Sequence, residues 1–161
     1  MKKHQTSFGV FKPVDHVLIS FATPAACEGA AQAMLEAGFS AADIERYTPE
    51  EMRLQAEFDI QNASALASLG QELNLVKAHR DLALLGQCFV LVHAPEDEQV
   101  RRISEVAALF HATRAQHYGS LMIDELVAPG VTQNQTAESP DKGLDAHTPS
   151  GIEGARGKAA P

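Results

Sequence analysis

The stretch "HVLISFA" at residues 16–22 decides the fold, together with a second stretch of the same kind, "CFVLVHA", at residues 88–94. Both are almost continuously apolar and rich in β-branched or aromatic residues, a pattern typical of strands in the middle of a sheet. Each precedes a helix signal that opens with a proline, Pro24 or Pro95, where the missing backbone N–H costs nothing. We therefore expect two buried strands that each lead into a helix.

Each predicted helix leads in turn to a shorter or more polar strand signal. The first helix, at 24–37, ends at Gly38 and precedes "IERYT" (44–48), in which the side chains alternate. The second helix, at 96–111, precedes the longer and mixed stretch "RAQHYGSLMI" (114–123). Because polar alternating strands belong at the edges of sheets, both stretches are predicted to be edge strands.

Tyr47 and Tyr118 occupy equivalent positions in these two polar strands, which indicates an internal repeat of strand, helix and strand. At sheet edges, the two tyrosines are expected to pack their rings and leave their hydroxyls in water. Two such units with right-handed crossovers predict an α+β, ferredoxin-like sandwich. Its four-stranded antiparallel sheet is expected to have the order 4-1-3-2, with the apolar strands in the centre.

The segment between the two units is longer than the hairpin of a plain ferredoxin-like domain. Residues 49–87 are predicted to form an insertion of two helices, the first of which opens with a capping box of Thr48 and Glu51. The two helices are expected to cover the sheet or to meet another subunit. We predict one domain at 1–127 and, because its composition is rich in glycine and proline and lacks aromatic residues, a disordered tail at 128–161.

The overall composition narrows the possible partners and the location of the protein. A formal net charge of −8 counts against nucleic-acid binding, which needs a basic surface to neutralise phosphates. No apolar run reaches the roughly 18 to 20 residues of a membrane span, and no apolar signal-peptide core follows the N-terminal lysines. We therefore expect a cytoplasmic protein that has no membrane span and binds no nucleic acid.

The two cysteines, Cys27 and Cys88, lie in no CxxC or metal-ligand spacing. Buried reduced thiols are the expected state, with a disulfide or a nucleophilic role as the alternatives. Known phosphate-binding, nucleophile-elbow and zinc-protease motifs are missing from the sequence. We accordingly predict no catalytic residue, no metal ligand and no cofactor. The alternative, a small metal-dependent enzyme, requires three histidines to approach one another, namely His93, His111 and His117.

The helix signal "NLVKAHRDLALLG" at 74–86 places Arg80 where the spacing of apolar residues would put a leucine. Either the stem of Arg80 packs while its guanidinium stays in water, or the arginine belongs to an anion or partner site. In the second case, the candidate ligand-binding residues around one cleft are Arg46, Tyr47, Arg80, His117 and Tyr118.

The stretch "AMLEAGFSAADI" at 33–44 resembles the repeat of bacterial general-stress, heat-induced stress protein domains. This resemblance implies a small cytoplasmic α/β sandwich domain without an established set of catalytic residues, so it assigns no site. The helical insertion and the tail depart from the pattern of that family. The residues that carry the resemblance are Leu35, Gly38, Phe39, Asp43 and Ile44.

Three functions follow as hypotheses from the sequence. The first is a non-enzymatic, stress-associated interaction protein that forms a homo-oligomer, with the edge strands or the helices at 49–87 as its partner surface. The second is a regulatory domain that binds a small molecule or an anion in the cleft described above. The third is the small metal-dependent enzyme.

Overall fold

The computed structural model describes residues 6–7, 10–63 and 70–128. The two apolar stretches lie side by side at the centre of its main sheet and are buried throughout, apart from the histidine at one end of each. In chain order the elements are β1 (Thr6–Ser7), β2 (Val10–Phe11), β3 (His16–Phe21), α1 (Pro24–Glu36), a 3₁₀ turn (Ala41–Asp43), β4 (Ile44–Tyr47), α2 (Pro49–Asn62), α3 (Gln71–Leu84), β5 (Cys88–His93), α4 (Asp97–Leu109), β6 (Arg114–Tyr118) and β7 (Ile123–Val127).

The main sheet has five strands in the order β4-β5-β3-β6-β7, and every neighbouring pair is antiparallel. This confirms the α+β class and the antiparallel pairing. The four predicted strands have the neighbours expected from the order 4-1-3-2, but the predicted four-stranded sheet is wrong, because β7 adds a fifth strand beyond β6. A separate ribbon of β1 and β2 near the N-terminus was also not predicted.

The fifth strand arises because the stretch at 114–123 is a hairpin and not one long strand. The chain turns after Tyr118, and Tyr118 pairs with Ile123 across the hairpin. A Cβ atom at Gly119 would lie 2.9 Å from the carbonyl oxygen of Met122, so the tight turn requires glycine. The predicted edge strand is therefore an inner strand, flanked by β3 and β7.

This change of position explains why the prediction for Tyr118 was wrong. Its side chain is fully buried, and its hydroxyl oxygen has no hydrogen-bond partner among the described residues. Tyr47 is the last residue of the true edge strand β4, yet it is only 2% exposed because α2 packs over it. Neither tyrosine leaves its ring at an open sheet edge.

One face of the sheet is covered by α1 and α4. Strand residues such as Val17, Ile19 and Val90 meet the small face of α1 and the buried stripe of α4. Thr23 caps α1 by accepting a hydrogen bond from the Ala26 N–H, and α1 gives way to Gly38, whose φ of 95° suits only glycine. The first helix therefore has the bounds that its sequence signals require.

The opposite face is covered by α2, α3 and Phe11 of β2. The predicted capping box is present: the Thr48 hydroxyl accepts from the Glu51 N–H, and the Glu51 carboxylate accepts from the Thr48 N–H. Because strands buried on both faces need cover on both, the helical insertion completes the core. The core residues on this face are Phe11, Leu18, Tyr47, Met52, Ala56, Leu73, Leu75, Val76, Ala83, Phe89, Leu91, Tyr118 and Ile123.

Asp59 of α2 is a buried carboxylate in this second layer, only 2% exposed. One of its oxygens accepts a hydrogen bond from the Phe11 N–H at 3.3 Å, and the other accepts from the Gln55 side chain at 2.8 Å. The carboxylate therefore holds the N-terminal ribbon against α2.

A second buried polar contact joins α3 to the sheet. The His79 Nε2 atom lies 2.8 Å from the side-chain oxygen Oε1 of Gln116, within hydrogen-bond distance. The Gln116 amide donates to Glu125 of β7, and Arg114 forms two further hydrogen bonds with the same carboxylate. The network thus links one helix to the last two strands.

Two further predictions concern a membrane span and the C-terminal tail. Within the described residues, no helix is both long enough and apolar enough to cross a membrane. The predicted tail at 128–161 lies outside the described residues, apart from Ala128.

Candidate functional site: the pocket beside the edge strand

A surface pocket of about 240 Å³ lies beside the edge strand β4, where the first turns of α1 and α2 approach it. Carbon and sulfur atoms form most of its surface, and one ion pair supplies most of its charge. The residues that line it are Pro24, Cys27, Glu28, Arg46, Tyr47, Thr48, Pro49 and Cys88.

The N-termini of two helices open onto this pocket. Both helices begin with proline at the first position, Pro24 in α1 and Pro49 in α2, and both are capped by the threonine that precedes it. The helix macrodipole places partial positive charge at each N-terminus. The pocket is therefore favourable for an anionic group, although the threonine caps already satisfy one N–H in each helix.

The charged part of the pocket is the ion pair between Arg46 of β4 and Glu28 of α1. Both side chains are accessible to solvent, Arg46 being 49% exposed and Glu28 65% exposed. Arg46 projects towards α1 because it lies opposite Val90, whose side chain belongs to the core on that face. A guanidinium that is half exposed and has one exposed partner can exchange that partner for another anion.

Tyr47 lines the same pocket but cannot act as a base. Burial raises its pKa well above the ordinary value, and the neighbouring Glu45 raises it further. Its hydroxyl therefore stays protonated at physiological pH. Tyr47 can offer packing and a neutral phenol, but not a base.

The two cysteines of the chain meet at this pocket. Cys27 lies in the first turn of α1 and Cys88 is the first residue of β5, and both are buried and free. The Cys88 thiol donates to the Thr23 carbonyl oxygen at 3.3 Å, and the same oxygen accepts from the Cys27 backbone N–H at 3.2 Å, so the two residues meet at the start of α1. Burial is the main cause that raises the pKa of Cys27 to about 12, followed by the contact with Cys88.

The five predicted site residues do not converge on one cleft. Arg46 and Tyr47 line the pocket, whereas the other three do not. Arg80 lies on α3 and pairs with its neighbour Asp81 at 2.8 Å. The buried position in that turn of α3 is His79, which is 3% exposed, so the spacing argument for Arg80 is off by one residue.

His117 and Tyr118 are adjacent on β6 and therefore project to opposite faces of the sheet. His117 lies opposite Val17 of the α1–α4 layer, with Nδ1 3.9 Å from the Asp124 carboxylate. Tyr118 is buried beneath the α2–α3 layer.

The three histidines of the metal hypothesis also lie apart. The ring of His93 lies beside that of His16, with 4.9 Å between centroids and 52° between planes, and its Nδ1 lies 3.6 Å from the Asp43 carboxylate. His111 follows the end of α4. Among the described residues, no three histidine, cysteine or acidic side chains are placed so that they could hold a metal ion.

Sequence reasoning missed Cys27, Glu28 and Cys88 as parts of the site. One signal was available, namely that the dipeptide Thr-Pro opens both helices, at residues 23–24 and 48–49. Two strand ends that each lead into a capped helix can place those N-termini side by side. The meeting of the two cysteines carried no local signal at all.

The fold and the pocket together define an α+β sandwich domain with a lined pocket at one sheet edge. No family model, curated protein or solved structure matches the chain. The resemblance to stress protein domains therefore stays a prediction from residues 33–44.

Proposed function

We propose that the protein is a non-enzymatic binding domain whose ligand is a small carboxylate with an apolar body. The observation that carries this proposal is the 240 Å³ pocket with Arg46 on its lining. Ligand pockets commonly measure about 300–1,000 Å³, so this one suits a compact molecule. The proposal keeps Arg46 and Tyr47 from the predicted ligand-binding set and drops the other three residues.

The chemistry of the lining supports both parts of the ligand. The apolar body would contact the carbon and sulfur atoms of Pro24, Cys27 and Pro49. The carboxylate would replace Glu28 as the partner of Arg46, in the field of two helix N-termini. A binding role without catalysis is favoured because burial raises the pKa values of Tyr47 and Cys27 further above neutrality, so neither supplies a base at neutral pH.

Replacing Arg46 with glutamine is expected to weaken carboxylate binding about tenfold. Hydrogen bonds to charged groups contribute about 1.5–3 kcal/mol, and the half-exposed position of Arg46 favours the lower end, which is about tenfold in Kd. The measurement is a titration followed by ligand-observed NMR, with carboxylates from butanoate to phenylacetate and their neutral amides as probes.

Arg80→Gln is the matched control, because Arg80 is also a partly exposed arginine with a single acidic partner but does not line the pocket. It should leave the affinity unchanged. Equal binding of acids and amides, or equal losses in the two variants, would contradict the proposed role of Arg46. If no probe binds the unaltered protein, the proposed function itself is wrong.

A second candidate function is self-association through the inserted helices, the partner surface predicted at 49–87. Leu54 and Phe58 support it, because they lie one turn apart on α2 and are 53% and 62% exposed. Such a pair on the outer side of a covering helix can pack against the same pair of a second copy about a two-fold axis. A role in the stress response rests on the sequence resemblance alone.

The double variant Leu54→Gln/Phe58→Gln is expected to shift the protein from a dimer to a single chain in light scattering at micromolar concentration. The control is Leu109→Gln on α4, a leucine that is 69% exposed on the other side of the sheet. A monomer before any substitution, or a dimer that persists in the double variant, would refute association through α2.

A further inference from the structure

The two thiols at the pocket are neighbours in space although 61 positions separate them in the sequence. The Thr23 carbonyl oxygen accepts from the Cys88 thiol at 3.3 Å and from the Cys27 backbone N–H at 3.2 Å, and the Phe21 carbonyl oxygen lies 3.7 Å from the Cys88 thiol. The contact joins α1 to the central strand β5. The sequence contains no other cysteine, so one chain can form only one intramolecular disulfide.

A route to the thiols also exists. Cys27 and Cys88 both line the 240 Å³ pocket, although they are only 5% and 6% exposed. Cysteine pairs enclosed in a core lack such access, and their reaction requires unfolding. Here a small reagent can enter the pocket and contact sulfur in the folded chain.

We propose that Cys27 and Cys88 form a redox-active dithiol, which a small-molecule disulfide entering the pocket oxidises to an intramolecular disulfide. This inference does not rest on the proposed carboxylate-binding function, because it concerns the two thiols of the pocket lining. The reduced thiols predicted from the sequence are then one of two redox states, and the intramolecular disulfide is the other.

The reaction proceeds by two thiol–disulfide exchanges and consumes one molecule of the small disulfide, with no other reactant. One protein thiol attacks the small disulfide, forms a mixed disulfide and releases one small thiol. The second protein thiol then attacks the mixed disulfide, closes the Cys27–Cys88 bond and releases the second small thiol. The two protein protons leave on the two small thiols, and the small disulfide is reduced as the protein is oxidised.

The surroundings make the attack by Cys27 slow at neutral pH. Thiolate is the attacking species, and burial keeps Cys27 protonated far above neutrality. Arg46 opposes this effect and lowers the pKa of Cys27. The step in which Cys27 attacks is therefore expected to accelerate about tenfold per pH unit from 7 to 9, and Arg46→Gln is expected to slow that step.

The test uses the full chain and bis(2-hydroxyethyl) disulfide as the probe. After acid quench, the free thiols are counted in denaturant with a maleimide, and the intact mass is recorded. We expect the number of free thiols to fall from two to zero and the mass of the chain to fall by two hydrogens. The product should be monomeric, and dithiothreitol should restore both thiols. The variants Cys27→Ser and Cys88→Ser should each stop at the mixed disulfide.

A parallel reaction in concentrated urea separates proximity in the fold from ordinary thiol reactivity. The folded chain should yield the intramolecular disulfide as its main product, whereas the unfolded chain should accumulate mixed disulfides. Three results would each overturn the proposal: thiols that stay free in the folded chain while the unfolded chain reacts, mixed disulfides as the final folded product, or disulfide-linked dimers. None of these results depends on whether a carboxylate binds.

Discussion

Asp59→Asn is expected to stabilise the protein at pH 7.5 by up to about 3 kcal/mol. Burial raises the pKa of Asp59 from its ordinary 3.8 to about 6, against hydrogen bonds from Gln55 and Phe11 that lower it. At about 1.4 kcal/mol per pH unit, that interval amounts to about 3 kcal/mol. Asparagine has nearly the same shape, can still accept from the Phe11 N–H, and carries no charge to desolvate.

The sign follows from proton linkage. Because the folded pKa of Asp59 is raised, its contribution to stability is fully present below pH 3.8 and is lost as pH rises to about 6. The variant removes this loss, so its advantage should appear between pH 4 and 6 and stay constant above. Urea unfolding at half-unit pH steps measures the effect.

Asp81→Asn is the matched control, because Asp81 is 61% exposed on the neighbouring helix. A change within about 0.5 kcal/mol is expected for such a surface position. If Asp59→Asn were less stable than the unaltered protein at pH 7.5, the hydrogen bonds of the charged carboxylate would outweigh its desolvation.

His79→Gln is expected to remove a comparable pH dependence of the opposite sign. Burial is the main cause that lowers the pKa of His79 from 6.5 to about 4, against the hydrogen bond with Gln116, which raises it. Because the folded pKa is depressed, the contribution of His79 is present above pH 6.5 and is lost as pH falls to about 4. By the same conversion this loss is about 3 kcal/mol.

A glutamine at position 79 keeps an N–H donor for the side-chain oxygen of Gln116, but it cannot take up a proton. The variant should be less stable than the unaltered protein at pH 7.5 by about 1–2 kcal/mol, because the edge contact with Phe89, 6.2 Å between ring centroids, is lost and the new hydrogen bond is imperfect. Its deficit should shrink and then reverse as the pH falls towards 4. An unchanged deficit from pH 7.5 to 4 would show that His79 is not kept neutral by the fold.

The two groups oppose each other between about pH 4 and 6, so their contributions nearly cancel in the unaltered protein. Asp59→Asn should expose the acid-induced loss that His79 causes, and His79→Gln should expose the acid-induced gain that Asp59 causes. The double variant should recover the flat profile. Exposed carboxylates with lowered pKa values, such as Glu51 and Glu98, act equally in all four proteins and cancel in the comparison.

Neither linkage could be derived from the sequence. Asp59 sits on a helix with other acidic and polar residues, and the local pattern predicts a solvated side chain for it. Asp59 is buried because the N-terminal ribbon packs over it, and the N–H of Phe11, 48 positions away in the sequence, donates to its carboxylate. His79 is buried because α3 lies over β6, which supplies Gln116.

The sequence by itself determined the elements whose causes are local. Continuous apolar runs predicted β3 and β5, and Thr-Pro caps predicted where α1 and α2 begin. Such signals act within one strand or one helical turn, so neighbouring residues suffice to predict them.

Only the tertiary structure decided the rest. The turn at Gly119 makes β6 an inner strand and buries Tyr118, and α2 and α3 complete the second layer of the core. The pocket draws its lining from α1, β4, α2 and β5, and brings Cys27 to Cys88. These features depend on contacts between residues far apart in the chain, for which no single stretch carries a pattern.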